Sequence, residues 1–229
     1  MNNSLNLRHW QLFAKRLRHH IGPYRFYHCG EYGDIYGRPH YHACIFGWDD
    51  PDKEYFKQSK SGHPIYTSPA LEKVWGKGFA QTGEVTFESA AYCARYIMKK
   101  INGDRAEEHY KLPYEHTDPT TGEIHDLEFD LTPEYTTMSR NPGIGLEWFR
   151  KYKNDVYPHD EIVINNKKVR PPRFYDGHFE IDHTKKMRQV RIGRKSASQK
   201  HASNNTPERL KIREKVQMAR LKKLPRTME

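Results

Sequence analysis

Two runs of alternating residues joined by a Gly/Pro loop restrict this chain more than any other feature. The first is "YRFYHCGE" at 24–31; the second is "HYHACIFGW" at 40–48. "YGDIYGRP" lies between them, with two glycines and a proline. Runs of this kind across such a loop predict an antiparallel hairpin. Alternate residues of a strand share a face. Arg25, Tyr27, Cys29 and Glu31 therefore share one face, and His40, His42, Cys44 and Phe46 share one face of the second strand.

Helical spacing flanks the hairpin. Trp10, Phe13, Ala14 and Leu17 recur at i, i+3, i+4 and i+7, which predicts an amphipathic helix over 5–20 ended by "GPY". Residues 49–69 are polar and broken by Gly and Pro, so a surface loop is expected. A helical turn and a third strand near 79–85 follow, then a helix over 87–101 capped by Thr86 or Ser89. Residues 104–137 are acidic and weakly periodic and read as a long loop. "EIVINNKKVR" reads as a small hairpin turning at Asn-Asn, and 207–224 as a helix.

The formal charge of +10 is unevenly spread. The last 45 residues, from Lys185, hold 15 Lys/Arg against 3 Asp/Glu. Such a basic tail is an electrostatic contact for nucleic acid or simply a solvated, disordered segment. Three domains follow: a core over 1–103, an acidic and accessory region over 104–184, and the tail over 185–229. The three cysteines form no CxxC pair, which argues against a disulfide framework and fits a reducing compartment. No apolar run approaches bilayer length, and the N-terminus lacks a signal-peptide core. A soluble, intracellular protein with no membrane partner is expected.

The paired imidazoles of His40 and His42 suit a metal, a phosphate, or a plain polar sheet face. Glu31 can approach them across the hairpin. Two imidazoles and a carboxylate on one wall leave coordination positions open, as a catalytic metal needs. The set does not choose between Zn²⁺, Mn²⁺ and Mg²⁺. In "YCARYIMKK", Tyr92, Tyr96 and Lys99 stand at i, i+4 and i+7, within about 60° of each other on a helix. Ala90, Ala94, Ile97 and Ile101 form an apolar stripe nearly opposite. That stripe is expected to pack, leaving the phenols free to look across a cleft. The plainer alternative packs both phenols on the sheet and sets the lysine against the helix dipole. Together the groups make chemical sense. A phenol oxygen attacks a metal-held phosphodiester, giving a phosphotyrosine and a free 3′-OH, and the lysine stabilises phosphate charge.

"PHYH" resembles the His-hydrophobe-His motif of HUH single-strand endonucleases, and "YCARYIMKK" resembles their two-tyrosine YxxxYxxK motif. "FYHCGEYGDIYGRPHYHACIFGW", "WGKGFAQTGEVTFESAAYCARYIMKK" and "MSRNPGIGLEWF" are similar to replication initiators of gokushovirus-type microviruses. The resemblance spans roughly residues 6–175. It implies an α+β fold with a ferredoxin- or RRM-like antiparallel sheet flanked by helices. The chain begins after the Thr-rich upstream strand usual in the family, so the sheet is expected to lack its first strand. It further implies rolling-circle initiation through a covalent 5′-phosphotyrosine. Tyr92 and Tyr96 would be nucleophiles and Lys99 the motif lysine. Glu31, His40 and His42 would bind Mg²⁺ or Mn²⁺. Partners would be single-stranded DNA and the double-stranded replicative form at the origin, with host helicase and polymerase, in the bacterial cytoplasm.

Two other classes stay open. One is a basic DNA- or RNA-binding protein without catalysis, and the other a plasmid or transposon relative such as a relaxase. A zinc hydrolase fits least, because it gives the tyrosine pair no role.

Overall fold

The computed structural model describes residues 4–34, 36–59 and 62–223. It divides the chain into two compact units that part between Ile144 and Gly145. The composition shifts at 103/104 and 184/185 lie elsewhere, the second of them inside a helix.

The first unit begins with α1 (Leu7–Ile21), where the Asn6 side chain accepts the Arg8 amide as an N-cap. Trp10, Phe13, Ala14 and Leu17 are all buried, as their spacing requires. They pack with Leu71, Phe26 and Ile45, each large side chain contributing roughly 1.5–3 kcal/mol by leaving water. β1 (Arg25–Tyr32) and β2 (Pro39–Phe46) form the expected antiparallel hairpin. Its register pairs Glu31 with His40, Cys29 with His42, and Tyr27 with Cys44. The two predicted faces are therefore one continuous face.

Three further hairpins or sheets replace expected loops. β3 (Glu54–Gln58) and β4 (Pro64–Thr67) occupy the predicted surface loop. α2 (Pro69–Trp75) follows, capped by Ser68. The strand expected near 79–85 shrinks to β5 (Gln81–Thr82), which pairs with β4 rather than with the first hairpin. After α3 (Phe87–Arg95), α4 (Arg105–Tyr110) leads into β6 (Lys111–Thr117) and β7 (Ile124–Asp130). The acidic stretch is thus a long hairpin. Its side chains are mostly exposed, so it carries no buried face to mark it. β8 (Tyr135–Met138) then pairs with β1 and completes a central sheet ordered β2-β1-β8. Its third strand comes from outside residues 1–103.

The second unit holds α5 (Leu146–Val156), β9 (Ile162–Ile164), β10 (Lys167–Val169), α6 (Arg173–Gln199) and α7 (Pro207–Lys223). Asn165 and Asn166 turn the small hairpin at φ 48° and 61°, the positive values that a two-residue turn of this kind demands. Phe149, Tyr157, Phe179 and Met187 form its core, and α6 is interrupted at His183. The basic tail is helical: α6 runs through 185–199, and α7 matches the expected helix as far as the described residues go. Two of its arginines have acidic partners. Arg194 makes paired hydrogen bonds of 2.6–2.9 Å with both Asp160 and Asp176, and Arg191 pairs with Glu180.

The α+β class, with antiparallel sheets and flanking helices, is borne out. Instead of one sheet, the described residues form four small ones among seven α-helices. No helix among them is long and apolar enough to cross a membrane.

Candidate active site

The continuous face of the β1–β2 hairpin is the floor of the site. Cys29 and Cys44 project from it, and Cys93 of α3 packs above; all three are buried free thiols. Burial, helped by the charge of Glu31, pushes the Cys29 thiol up to about 12 and keeps it protonated. Period two placed Cys29 and Cys44 on the His42 face, so this floor was available from the sequence.

α3 starts as expected. Thr86 Oγ1 accepts the Ser89 amide at 3.2 Å and Ser89 Oγ accepts the Thr86 amide at 2.8 Å, a reciprocal cap. It ends earlier than expected. The α-helix stops at Arg95, and Tyr96–Lys99 form a tighter 3₁₀ turn. The packing also inverts the expectation. Tyr92 and Tyr96 are 8 % and 6 % exposed and lie on the sheet, whereas Ala94 and Ile97 face solvent. The phenols therefore do not look across an open cleft. They look at the hairpin face that carries His42 and Glu31.

Five of the expected site residues meet there. The Tyr96 hydroxyl donates to the Tyr92 hydroxyl, and their rings meet edge to face. His42 stacks on Tyr96 and approaches Tyr92 edge-on, with the His42 and Tyr92 centroids 6.0 Å apart. Its Nε2 lies 3.1 Å from Glu31 Oε1. Glu31 is 4 % exposed, and Lys99 Nζ donates to its other oxygen. Lys99 also donates to Asp34 Oδ1 at 3.0 Å and stands 5.1 Å over the Tyr96 ring. Burial alone would lower the Lys99 pKa, but hydrogen bonds and charge from Glu31 and Asp34 raise it on balance. Burial, the bond to Tyr92 and the charge of Glu31 raise the Tyr96 pKa, so its hydroxyl holds its proton. Asp34 was not among the expected residues; its place in the hairpin loop just past Glu31 was the only signal.

His40 stands apart. It is exposed, opposite Glu31 in register, and its ring lies against Gly33. A Cβ at Gly33 would come within 2.7 Å of His40 Cε1, so glycine leaves the room that the imidazole takes. Among the described residues no group of three His, Cys, Asp or Glu side chains converges closely enough to hold an ion. The donor chemistry nevertheless suits a divalent cation: a buried carboxylate, an imidazole touching it, and a second imidazole across the strand pair with an exposed side chain free to turn.

Residues 1–101 match the family model for replication-associated protein ORF2. The chain is 33% identical over 167 residues to replication-associated protein ORF2 of Spiroplasma virus 4, covering 71% of this chain and 45% of the relative. It is 30% identical over 189 residues to replication-associated protein VP4 of Bdellovibrio phage phiMH2K, covering 77% and 53%. A third relative, replication-associated protein ORF4 of Chlamydia phage 1, is 27% identical over 184 residues, covering 76% and 41%. The chain thus spans about half the length of these relatives. No solved structure matches. The resemblance drawn from the motifs is borne out: the relatives are phage replication-associated proteins, in keeping with an initiator of the microvirus type.

Proposed function

We propose that this chain, whose first 101 residues belong with the phage replication-associated proteins of ORF2 type, initiates DNA replication by nicking and rejoining one strand. The observation that carries the reading is the convergence of two phenols, an imidazole, a carboxylate and an ammonium on one hairpin face. In the first step a tyrosine oxygen bonds to the scissile phosphorus and the bond to the 3′-oxygen breaks. The products are a 5′-phosphotyrosine and a free 3′-OH. In the rejoining step a 3′-OH attacks the phosphotyrosine and the phenol leaves. The second phenol, one turn away, can attack a later phosphodiester while the first is still linked.

Glu31, His42 and His40 would hold a divalent ion, Mg²⁺ or Mn²⁺. When bound, such an ion supplies Lewis-acid polarisation of the phosphodiester. Tyr96 holds the His42 ring flat, which sets the direction of Nε2. Lys99 balances Glu31 in the free protein and can turn its ammonium to phosphate oxygens. The site would act on single-stranded DNA or an opened origin of the replicative form, with host helicase and polymerase as further partners, in the bacterial cytoplasm.

The test uses labelled single-stranded fragments tiling the genome that encodes the chain, with Mn²⁺ or Mg²⁺. One fragment should form a protein–DNA adduct that survives denaturation, and Tyr92→Phe/Tyr96→Phe should abolish it. An adduct that persists in the double variant overturns the mechanism. No adduct with any fragment, alongside strong binding, leaves a non-catalytic DNA-binding protein.

A further inference from the structure

β2 has a second side. Opposite the phenols, a cavity of about 500 Å³ opens beside it, between α1, α2 and the 76–85 segment. That volume lies within the roughly 300–1,000 Å³ of small-molecule sites. Its walls are aromatic. Tyr41, Trp48 and Trp75 line it, with Tyr41 and Trp75 edge to face at 5.3 Å, and Phe79 is 91 % exposed beside them.

Two oxygens in these walls are buried without a hydrogen-bond partner among the described residues: Asp50 Oδ2 and Thr82 Oγ1. Asp50 is only 6 % exposed, and its Oδ1 already accepts the Asp52 amide at 3.0 Å. A buried carboxylate oxygen with no donor is costly, and in a cavity wall a ligand N–H can satisfy it. Lys77 adds an ammonium among the same lining residues. Flat aromatic faces, a buried acceptor, a hydroxyl and a cation together match an unpaired nucleotide. His40 lines this cavity too, so it connects with the hairpin face described above.

We propose that the cavity holds one unpaired, amine-bearing base of the DNA strand next to the phosphate that is cleaved. The base stacks on the aromatic walls, and its amino group donates to Asp50 Oδ2. Guanine fits best, because its N1–H and amino group sit side by side. Thymine fits worst, because its one edge N–H lies between two carbonyl oxygens that a carboxylate repels. The inference rests on the strand-cleaving reading above and gives it a determinant of sequence preference.

The test is tryptophan-fluorescence titration of the full chain in EDTA with short thymidine oligonucleotides, plain or carrying one central dG, dC or dA. The dG strand should bind roughly tenfold more tightly than the plain strand. Asp50→Asn keeps Oδ1 for the Asp52 amide and replaces Oδ2 with a donor. It should bring the dG strand to within about twofold of the plain one, leaving plain-strand affinity unchanged. Thr82→Val, of the same shape, should weaken the dG strand roughly threefold. Equal binding of all four strands, or a preference that survives Asp50→Asn, overturns the proposal. Free dGMP binding as tightly as the dG strand also overturns it, in favour of a mononucleotide site. Because no metal or covalent step is involved, a chain that fails to nick still reports its base preference, and a chain that nicks can still fail here.

Discussion

His42 lies flat on Tyr96: the ring centroids are 4.3 Å apart and the planes 11° from parallel. The same imidazole touches Glu31. One side chain therefore joins the phenols of α3 and the turn after it to the acid of β1. A ring held on its face cannot swing its nitrogens, and that orientation is what a ligand or a proton relay requires.

The two phenols are unequal, so Tyr92 is expected to attack first. Tyr96 gives its hydrogen bond to Tyr92, and burial with the Glu31 charge opposes its ionisation. That donated bond stabilises negative charge developing on Tyr92. With a single-turnover substrate, Tyr92→Phe should lower adduct formation by about 100-fold or more, and Tyr96→Phe by about tenfold or less. Denaturing gels with peptide mapping of the adduct check this. The reverse order of losses sinks the assignment.

Lys99 and Glu31 are expected to be strongly coupled in stability. Removing the ammonium leaves a carboxylate that is 4 % exposed with only His42 as partner. Lys99 is partly exposed, so Lys99→Met should cost about 1–3 kcal/mol. Much of the loss should return in Lys99→Met/Glu31→Gln, where no charge is left unpaired. Urea denaturation of the four proteins measures the coupling, and additive losses would refute it.

His28 predicts acid sensitivity. It is fully buried, stacked on Trp10 at 3.9 Å, with Nδ1 3.0 Å from Thr137 Oγ1. Burial, followed by repulsion from His42, lowers its pKa from 6.5 to about 3. Below 6.5 the unfolded chain takes up this proton and the folded one does not. Stability therefore falls as pH falls through the window from 6.5 to about 3, by on the order of 4 kcal/mol at its end. His28→Phe should flatten that part of the stability–pH profile measured by chemical denaturation. An unchanged slope would assign the acid sensitivity to other groups.

Gly33→Ala separates folding from ion binding. The new methyl would meet His40 Cε1 at 2.7 Å, and the exposed ring can move away. Stability should change by less than about 0.5 kcal/mol. Mn²⁺ affinity, followed by calorimetry without DNA, should fall by about tenfold as His40 is displaced. Unchanged affinity would remove His40 from the ligand set.

The hairpin was readable because two signals agreed: residues of period two and a loop of Gly and Pro between them. They fixed which side chains share the Glu31 face before any pairing was known. Trp10, Phe13 and Leu17 were readable from their helical period, and the Asn165–Asn166 turn from its residue types. The end of α3 was not. "YIMKK" contains no helix breaker, and the tightened turn coincides with the reach of Lys99 to Glu31 and Asp34, contacts more than sixty residues away in sequence. The choice of buried face on α3 also hid, because phenols over a thiol floor replaced the apolar stripe as the packed side. β6 and β7 escaped because both their faces are largely solvated. Arg194 looked like part of a free basic tail, since its partners Asp160 and Asp176 lie well before it in sequence.

β2 is an edge strand whose consecutive residues belong to different chemistries: His40 and His42 share the face of the acid and the phenols, while Tyr41, between them, faces the tryptophans. Gaining or losing one codon between Pro39 and Phe46 would exchange the two sides at a stroke. Length drift in this hairpin should therefore collect in residues 33–38, while the strand itself stays fixed in length as its individual side chains diverge.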